Sequence, residues 1–387
     1  MSLTSELRSG ALGAWMWRAL PRARALAEEI GRALADRPVV APPRRMATRF
    51  YGEVGGAFGQ RLGFAVEPAP PYYALLGAYN AGLIGWDDAN ALAARFPTHR
   101  DVPPPAPDRR DDRLSDRPAP AGWLDLRPPP GLDPAPARWQ RGMATTAVQA
   151  IAARTADLLT QDTEPGRFGS VEVETELNRL CLLLAGWEQA YRGGALDREV
   201  AAFYRTLADA RLTSGADREL LVAAVEGLER APCTDLDALT AAARDTGLLD
   251  QLRTLAGDPT PGQSLGHAGP VFVPEWADGD VLITHPDRAT GAALLDVKTV
   301  TRVDDPRRVA GWLFQVLAYA FLDAESGDDW GIRRVGLVFA RHGVVRWWPR
   351  DELTTYLAGG RCPAEVRRDF FTEFEQTITR LGARITT

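Results

Sequence analysis

ADGDVLITHPDRATGAALLDVKTV, residues 277–300, holds two apolar runs separated by a polar one. DVLITH (280–285) and AALLDVKTV (292–300) have the length and the Val, Ile and Leu content of strands. PDRATG (286–291) between them is rich in turn formers. The predicted unit is a β-hairpin. Successive side chains along a strand alternate faces, so Asp296 and Lys298 share one face and Val297 takes the other. The turn lets Asp280 stand opposite Asp296 or Lys298, and all three polar groups then share that face. A one-residue slip of register would remove Asp280 from it.

Two acids and a lysine at the end of an apolar hairpin are costly to bury without a purpose. Two carboxylates plus a backbone carbonyl, that of Val297, suit a hard divalent cation such as Mg²⁺ or Mn²⁺, which keeps several of its waters. A cation held there would stabilise charge on a phosphate and lower the pKa of a bound water. Lys298 would hold or polarise that water. The alternative is a surface hairpin with a cross-strand Asp–Lys pair.

The lysine is singular. Of 45 basic residues 44 are arginine, and Lys298 is the one lysine. The abundance of Ala, Pro, Gly and Arg suggests a GC-rich bacterial genome, which replaces lysine wherever a plain positive charge suffices. A compact ammonium beside an attacking water is a place where the broad guanidinium fork cannot substitute.

After the hairpin, DPRRVAGWLFQVLAYAFLDA (305–324) reads as a helix, RRVGLVFA (333–340) and VVRWWP (344–349) as strands, and 350–359 and 363–382 as helices. VFV (271–273) is a short strand and 258–270 a loop. The C-terminal part is therefore an α/β core. On the helix, Gln315 and Tyr319 lie four apart and share a face, which Arg308 and Trp312 extend; this stripe could meet nucleic acid. A core helix with one satisfied Gln is the plainer reading.

ADGDVLI (277–283), LLDVKT (294–299) and QVLAY (315–319) resemble, in order and spacing, the signature of PD-(D/E)XK nucleases, and especially the RecB-like branch with its Q-x-x-x-Y motif. The resemblance covers about residues 271–348. It implies a restriction-endonuclease-like mixed sheet, a Mg²⁺- or Mn²⁺-dependent nuclease acting on DNA, and roles for matched residues. Asp280 and Asp296 become the metal carboxylates and Lys298 the catalytic lysine. Gln315 and Tyr319 orient the hairpin and the nucleic-acid strand. The branch also carries G-x-x-x-H on an earlier helix. VGGAFGQRL (54–62) offers Gly56 and Gln60 at that spacing, without the histidine. Glu67, Glu172 and Glu176 are the candidates for a first-helix acid, and Glu275-Trp276 precedes the hairpin. By analogy, such a nuclease belongs to antiphage defence, restriction or repair. Two rivals are a non-catalytic binding module and a subunit switched on by a partner docked on the helical region.

Before the hairpin, residues 12–35, 45–64 and 72–95 carry helical patterns, the last as two short helices. So do 139–160, 172–192, 197–211, 217–230 and 236–256. Residues 103–136 hold 11 of the 29 prolines and read as a linker. The expected divisions are a helical region (1–100), a Pro-rich linker (101–138), a helical domain (139–265) and the nuclease core (266–387). Glu172, Glu174 and Glu176 read as a solvated helix start, and Trp347-Trp348 as strand packing.

A net charge of −6 over 387 residues speaks against indiscriminate coating of nucleic acid, not against a local basic surface. Residues 15–49 carry eight arginines and three acids, either a solvated face or a phosphate-contacting one. Three scattered cysteines and four unclustered histidines point away from disulfides and structural zinc. No apolar run is long enough to cross a bilayer and no secretory signal opens the chain, so the expected location is the cytoplasm and no membrane partner is expected.

Overall fold

In the computed structural model, residues 3–98, 141–193, 224–273, 276–325 and 330–381 are described, with residues 222 and 327 besides. The expected linker at 101–138, the helix at 197–211, the start of the one at 217–230, and Glu275 lie outside them.

The hairpin forms, and it is the centre of a mixed five-stranded sheet. In chain order the strands are β1 (Gly266–Ala268), β2 (Val271–Val273), β3 (Ala277–Asp278), β4 (Val281–Ile283), β5 (Ala292–Lys298), β6 (Ile332–Phe339) and β7 (Val344–Pro349). The sheet order is β1-β4-β5-β6-β7, while β2 and β3 pair separately. Pairing is antiparallel except between β5 and β6, which run parallel. Parallel neighbours need a crossover, and the helix Pro306–Glu325 supplies it. Asp305 starts that helix by accepting from the backbone N–H of Arg307 at 2.9 Å, and Pro306 suits the first helical position.

Three expectations about this region change. The reach 258–270, read as a loop, contains edge strand β1. The first hairpin strand is shorter than 280–285, so the connection spans 284–291. There Asp287 accepts from the N–H groups of Ala289 and Thr290, and Gly291 takes φ +63° to re-enter the sheet. A local polar cap thus ends a strand that apolarity alone would extend.

Helices cover both faces. Alternation along the strands sends Val281, Ile283, Ala293, Leu295 and Val338 into one core, and Leu282, Leu294, Val335, Leu337 and Phe339 into another. The first core is shared with helices Phe50–Val66, Tyr72–Asn80, Trp86–Ala93, Arg141–Gln161, Val171–Gly193, Arg230–Asp245 and Leu248–Leu255. The second is shared with Pro306–Glu325, Arg350–Leu357, Pro363–Leu381 and three N-terminal helices, Leu3–Ser9, Ala11–Ala19 and Ala23–Ala35. The cores therefore cut across the expected chain segments: residues 3–35 pack with the C-terminal part, and residues 50–96 with the helical region on the opposite face.

Two helical readings also change. Residues 12–35 are not one helix: Pro21 separates two, and a further helix precedes them at 3–9. The segment 236–256 starts earlier, at Arg230, and breaks at Gly247, which takes φ +63°. Among the described residues no helix is long and apolar enough to cross a membrane.

Candidate active site

The register pairs Val281 with Leu295. Continued by one residue, it sets Asp280 opposite Asp296 at the end of the sheet. Asp280 Oδ2 accepts from the backbone N–H of Val297 at 2.6 Å. Lys298 follows on the same face, with its Nζ ion-paired to Asp296 Oδ2. That contact neutralises charge on the buried Asp296.

The electrostatics follow from this crowding. Asp280 is exposed at the end of the sheet, beside the buried Asp296. Desolvation, then the charge of Asp296, push its carboxyl from an ordinary value of 3.8 up to about 7, against the pull of Lys298. Burial also raises Asp296, opposed by Lys298. Two acids that disfavour their own ionisation form a site that a cation stabilises.

The elements around the hairpin build a chamber of about 380 Å³. The helix Pro306–Glu325 contributes Gln315 and Tyr319. Gln315 Nε2 donates to Tyr319 Oη at 3.1 Å. Tyr319 is buried and stacks on Phe272 with ring centroids 5.1 Å apart, and burial pushes its phenol upward. The helix Phe50–Val66 contributes Gln60 and a row of glycines. At Gly55 an added Cβ would lie 2.9 Å from Thr299 Oγ1, and at Gly63 3.1 Å from Ala268 Cβ. At these two positions the missing side chains let the helix lie close against the sheet. The structure therefore brings Asp280, Asp296, Val297, Lys298, Gln315, Tyr319 and Gln60 into one chamber.

A second, larger cleft of about 950 Å³ opens from it. The two share Thr4, Val297, Lys298 and Gln315. Their charges differ in sign. The chamber is lined by Asp278, Asp280, Asp296 and Glu188 against Lys298. The cleft is lined by Arg8, Arg24, Lys298, Arg307 and Arg308 against Asp305. No protein-family model matches the chain, and no curated protein or solved structure is significantly similar to it.

Other sequence candidates fall elsewhere. Trp312 lines the cleft, yet it is only 9% exposed. Lys298 Nζ and the Arg308 guanidinium lie 5.5 and 5.3 Å from its ring centroid. Its face is covered by protein cations, so the ring holds the lysine and is not offered to a base. Glu67 is buried beside His267 Nδ1, at 3.3 Å, and not in the chamber. Glu174 is not solvated: it takes Arg61 bidentately at 2.7 Å, both side chains buried. Glu176 takes Arg154 at 2.6 Å, while Glu172 is exposed at the helix start. Of the eight arginines at 15–49, Arg24 alone lines the basic cleft. Trp347 is 44% exposed and sits under Arg334.

Sequence reading missed Asp278, Glu188, Thr4, Arg8 and Arg307 as lining residues. Asp278 had a signal, standing two residues before Asp280 in the same ADGD run. Glu188 sits deep in a helix nearly a hundred residues away and had none.

Among the described residues no group of three or more His, Cys, Asp or Glu side chains is arranged to hold a metal ion. The donors that are present fit a more modest demand. Two facing carboxylates at the end of the sheet suit a hard cation whose shell is completed by water.

Proposed function

We propose that this chain is a metal-dependent phosphodiesterase, a nuclease acting on DNA, as its resemblance to RecB-like PD-(D/E)XK enzymes implies. The observation that carries the reading is the shared Lys298: an acidic chamber and a basic cleft meet at one ammonium. Carboxylates that call for a cation sit beside arginines that suit a polyanion, in a chain of net charge −6. The mixed sheet, with its antiparallel hairpin and helical crossover to a parallel strand, accommodates a restriction-endonuclease-like core.

Asp280 and Asp296 would hold Mg²⁺ or Mn²⁺. When bound, the ion supplies positive charge at the scissile phosphate and acidifies a water. The residues do the rest. Asp296 holds the Lys298 ammonium, which then orients the attacking water and offsets negative charge developing on the phosphate. Trp312 and Arg308 fix the other side of that ammonium and ring. Gln315, tied to Tyr319, presents a donor to the phosphate-bearing strand. Arg307 and Arg308 lie in the first turn of their helix and line the basic cleft.

The test is incubation with linear, circular and single-stranded DNA, with Mg²⁺, Mn²⁺ or EDTA. Cleavage is expected with either ion and none in EDTA. Full activity in EDTA overturns the assignment.

A further inference from the structure

A pocket of about 470 Å³ shares no lining residue with the chamber or the basic cleft. The connection from Lys298 to the helix Pro306–Glu325 divides them. Thr299, Val300 and Asp305 line the cleft, whereas Thr301 and Val303 line the pocket. We infer that this pocket binds a free mononucleotide, with the base inside and the phosphate on Arg32. Its apolar walls are already in place. The helix Ala23–Ala35 contributes Ala27, Gly31 and Leu34. At Gly31 an added Cβ would lie 2.6 Å from the Val303 carbonyl oxygen, so helix and connection touch directly. Val39 also lines the pocket, and its neighbour is pinned: Val40 donates its N–H to the Arg341 carbonyl at 2.9 Å and accepts from the Arg341 guanidinium at 3.1 Å. Walls held in this way need little ordering when a ligand enters. The volume is that of a small-molecule site.

Two polar features say what enters. His342 lines the pocket at 6% exposure, and its Nδ1 has no hydrogen-bond partner. Burial, then the charge of Arg37, hold its pKa below the ordinary value, so the ring is neutral at pH 7 and offers one donor and one acceptor nitrogen. A buried nitrogen left unmatched is costly, and a ligand with a hydrogen-bonding ring edge supplies the match. A nucleobase carries donors and acceptors on its edges and apolar faces between them. The second feature is charge. Both acids of the pocket already have a cation: Glu28 meets Arg24 at 3.1 Å, and Asp304 meets Arg302 at 3.6 Å. Arg32 is exposed and makes no ion pair among the described residues. One guanidinium is therefore left for an anion, and phosphate suits its fork. Apolar walls, a neutral imidazole and one spare guanidinium match the base and the phosphate of a single nucleotide.

The experiment is calorimetric titration of the full chain in EDTA with adenosine monophosphate, and with adenosine alongside. Saturable binding of the monophosphate is expected below about 1 mM. Arg32→Ala is expected to weaken the monophosphate about tenfold, the scale of one lost bond to a charged group, and to leave adenosine as it was. His342→Phe keeps a ring and removes the nitrogen, and is expected to weaken both ligands. Thermal melting of each variant checks that the fold persists. No saturation at about 1 mM overturns the inference, as does monophosphate binding that ignores either variant. Displacement of the monophosphate by oligodeoxythymidylate also overturns it, since the nucleotide would then lie in the basic cleft. Pocket binding by a protein that never cuts with Mg²⁺ or Mn²⁺ leaves this site standing and removes the nuclease.

Discussion

At the scale of single residues, the proposed chemistry rests on how one lysine is held. Lys298 has Asp296 on one side and the Trp312 ring on the other. A guanidinium carries the same charge in a wider plane, and the space between a buried carboxylate and a buried indole is set by both. Lys298→Arg and Lys298→Ala are each expected to lose at least about two orders of magnitude in cleavage rate, the scale of one transition-state contact. A Lys298→Arg protein cutting at the parent rate would make the lone lysine an accident of composition. Asp296→Asn is expected to be as inactive yet no less stable, because burial already disfavours its charge. The carboxylate pair also sets a pH dependence. Asp280 binds its proton more tightly folded than unfolded, so stability is fullest below the ordinary carboxylate pKa. It falls as pH rises through about 7. Mg²⁺ or Mn²⁺ should therefore raise the melting temperature more at pH 8 than at pH 5, where protons compete. An equal rise at both values would place the ion elsewhere. These residues were legible because their signal is local: alternation along one hairpin shows which side chains share a face. Asp278 lies on β3, outside that hairpin, and alternation along the hairpin does not reach it.

At the scale of elements, the helix Pro306–Glu325 shows where local reasoning stops. Four-residue spacing correctly joins Gln315 to Tyr319. It does not reveal that Tyr319 is 3% exposed while Gln315 is half-buried, since burial depends on what packs above the helix. The N-terminal helix does so, and neither its existence nor its place was visible in MSLTSELRSG. The two positions should respond differently to substitution. Tyr319→Ala removes a ring stacked on Phe272 and is expected to cost about 3–5 kcal/mol of stability, as large aromatic truncations do. Tyr319→Phe keeps the ring and removes only the hydroxyl that accepts from Gln315. Gln315→Ala and Tyr319→Phe are therefore expected to lower cleavage at least tenfold with melting temperatures near the parent's. Denaturation and single-turnover cleavage on the same preparations check this. Normal cleavage by both would reduce the stripe to packing. The arginines at 15–49 teach the same lesson at larger range. They are close in sequence, yet Pro21 and the helical turns scatter them. Arg24 reaches the cleft, Arg22 covers Tyr356 and Arg49 meets Glu229.

At the scale of the whole molecule, contacts between distant segments hold the hairpin against both helical layers, and these leave no local trace. Arg61 and Glu174 are 113 residues apart, and Arg341 and Asp235 106. Composition shows only an arginine-rich chain. Arg341, at 1% exposure, grips the fully buried Asp235 with bonds of 2.8 and 2.6 Å. Its Nε also donates to the carbonyl of Thr299 at 2.7 Å, and its Nη1 to that of Val40 at 3.1 Å. One guanidinium thus ties the helix Arg230–Asp245 and the segment after Ala23–Ala35 to the residue following Lys298. Removing it leaves a carboxylate buried and unpaired. Arg341→Met is expected to cost about 3–5 kcal/mol, the range for breaking a buried pair from one side. Asp235→Leu combined with Arg341→Met removes both charges and should recover much of that loss, because a buried ion pair is worth little against apolar replacements. The recovered double variant still lacks the bond to Thr299, so its strand end is freer. It is expected to cut more slowly than the parent despite its regained stability. Chemical denaturation of the two single variants and the double gives the coupling, and cleavage by the double variant gives the consequence for the site. A single variant that loses less than about 1 kcal/mol, within the range of an exposed pair, would show that this contact does not join the layers.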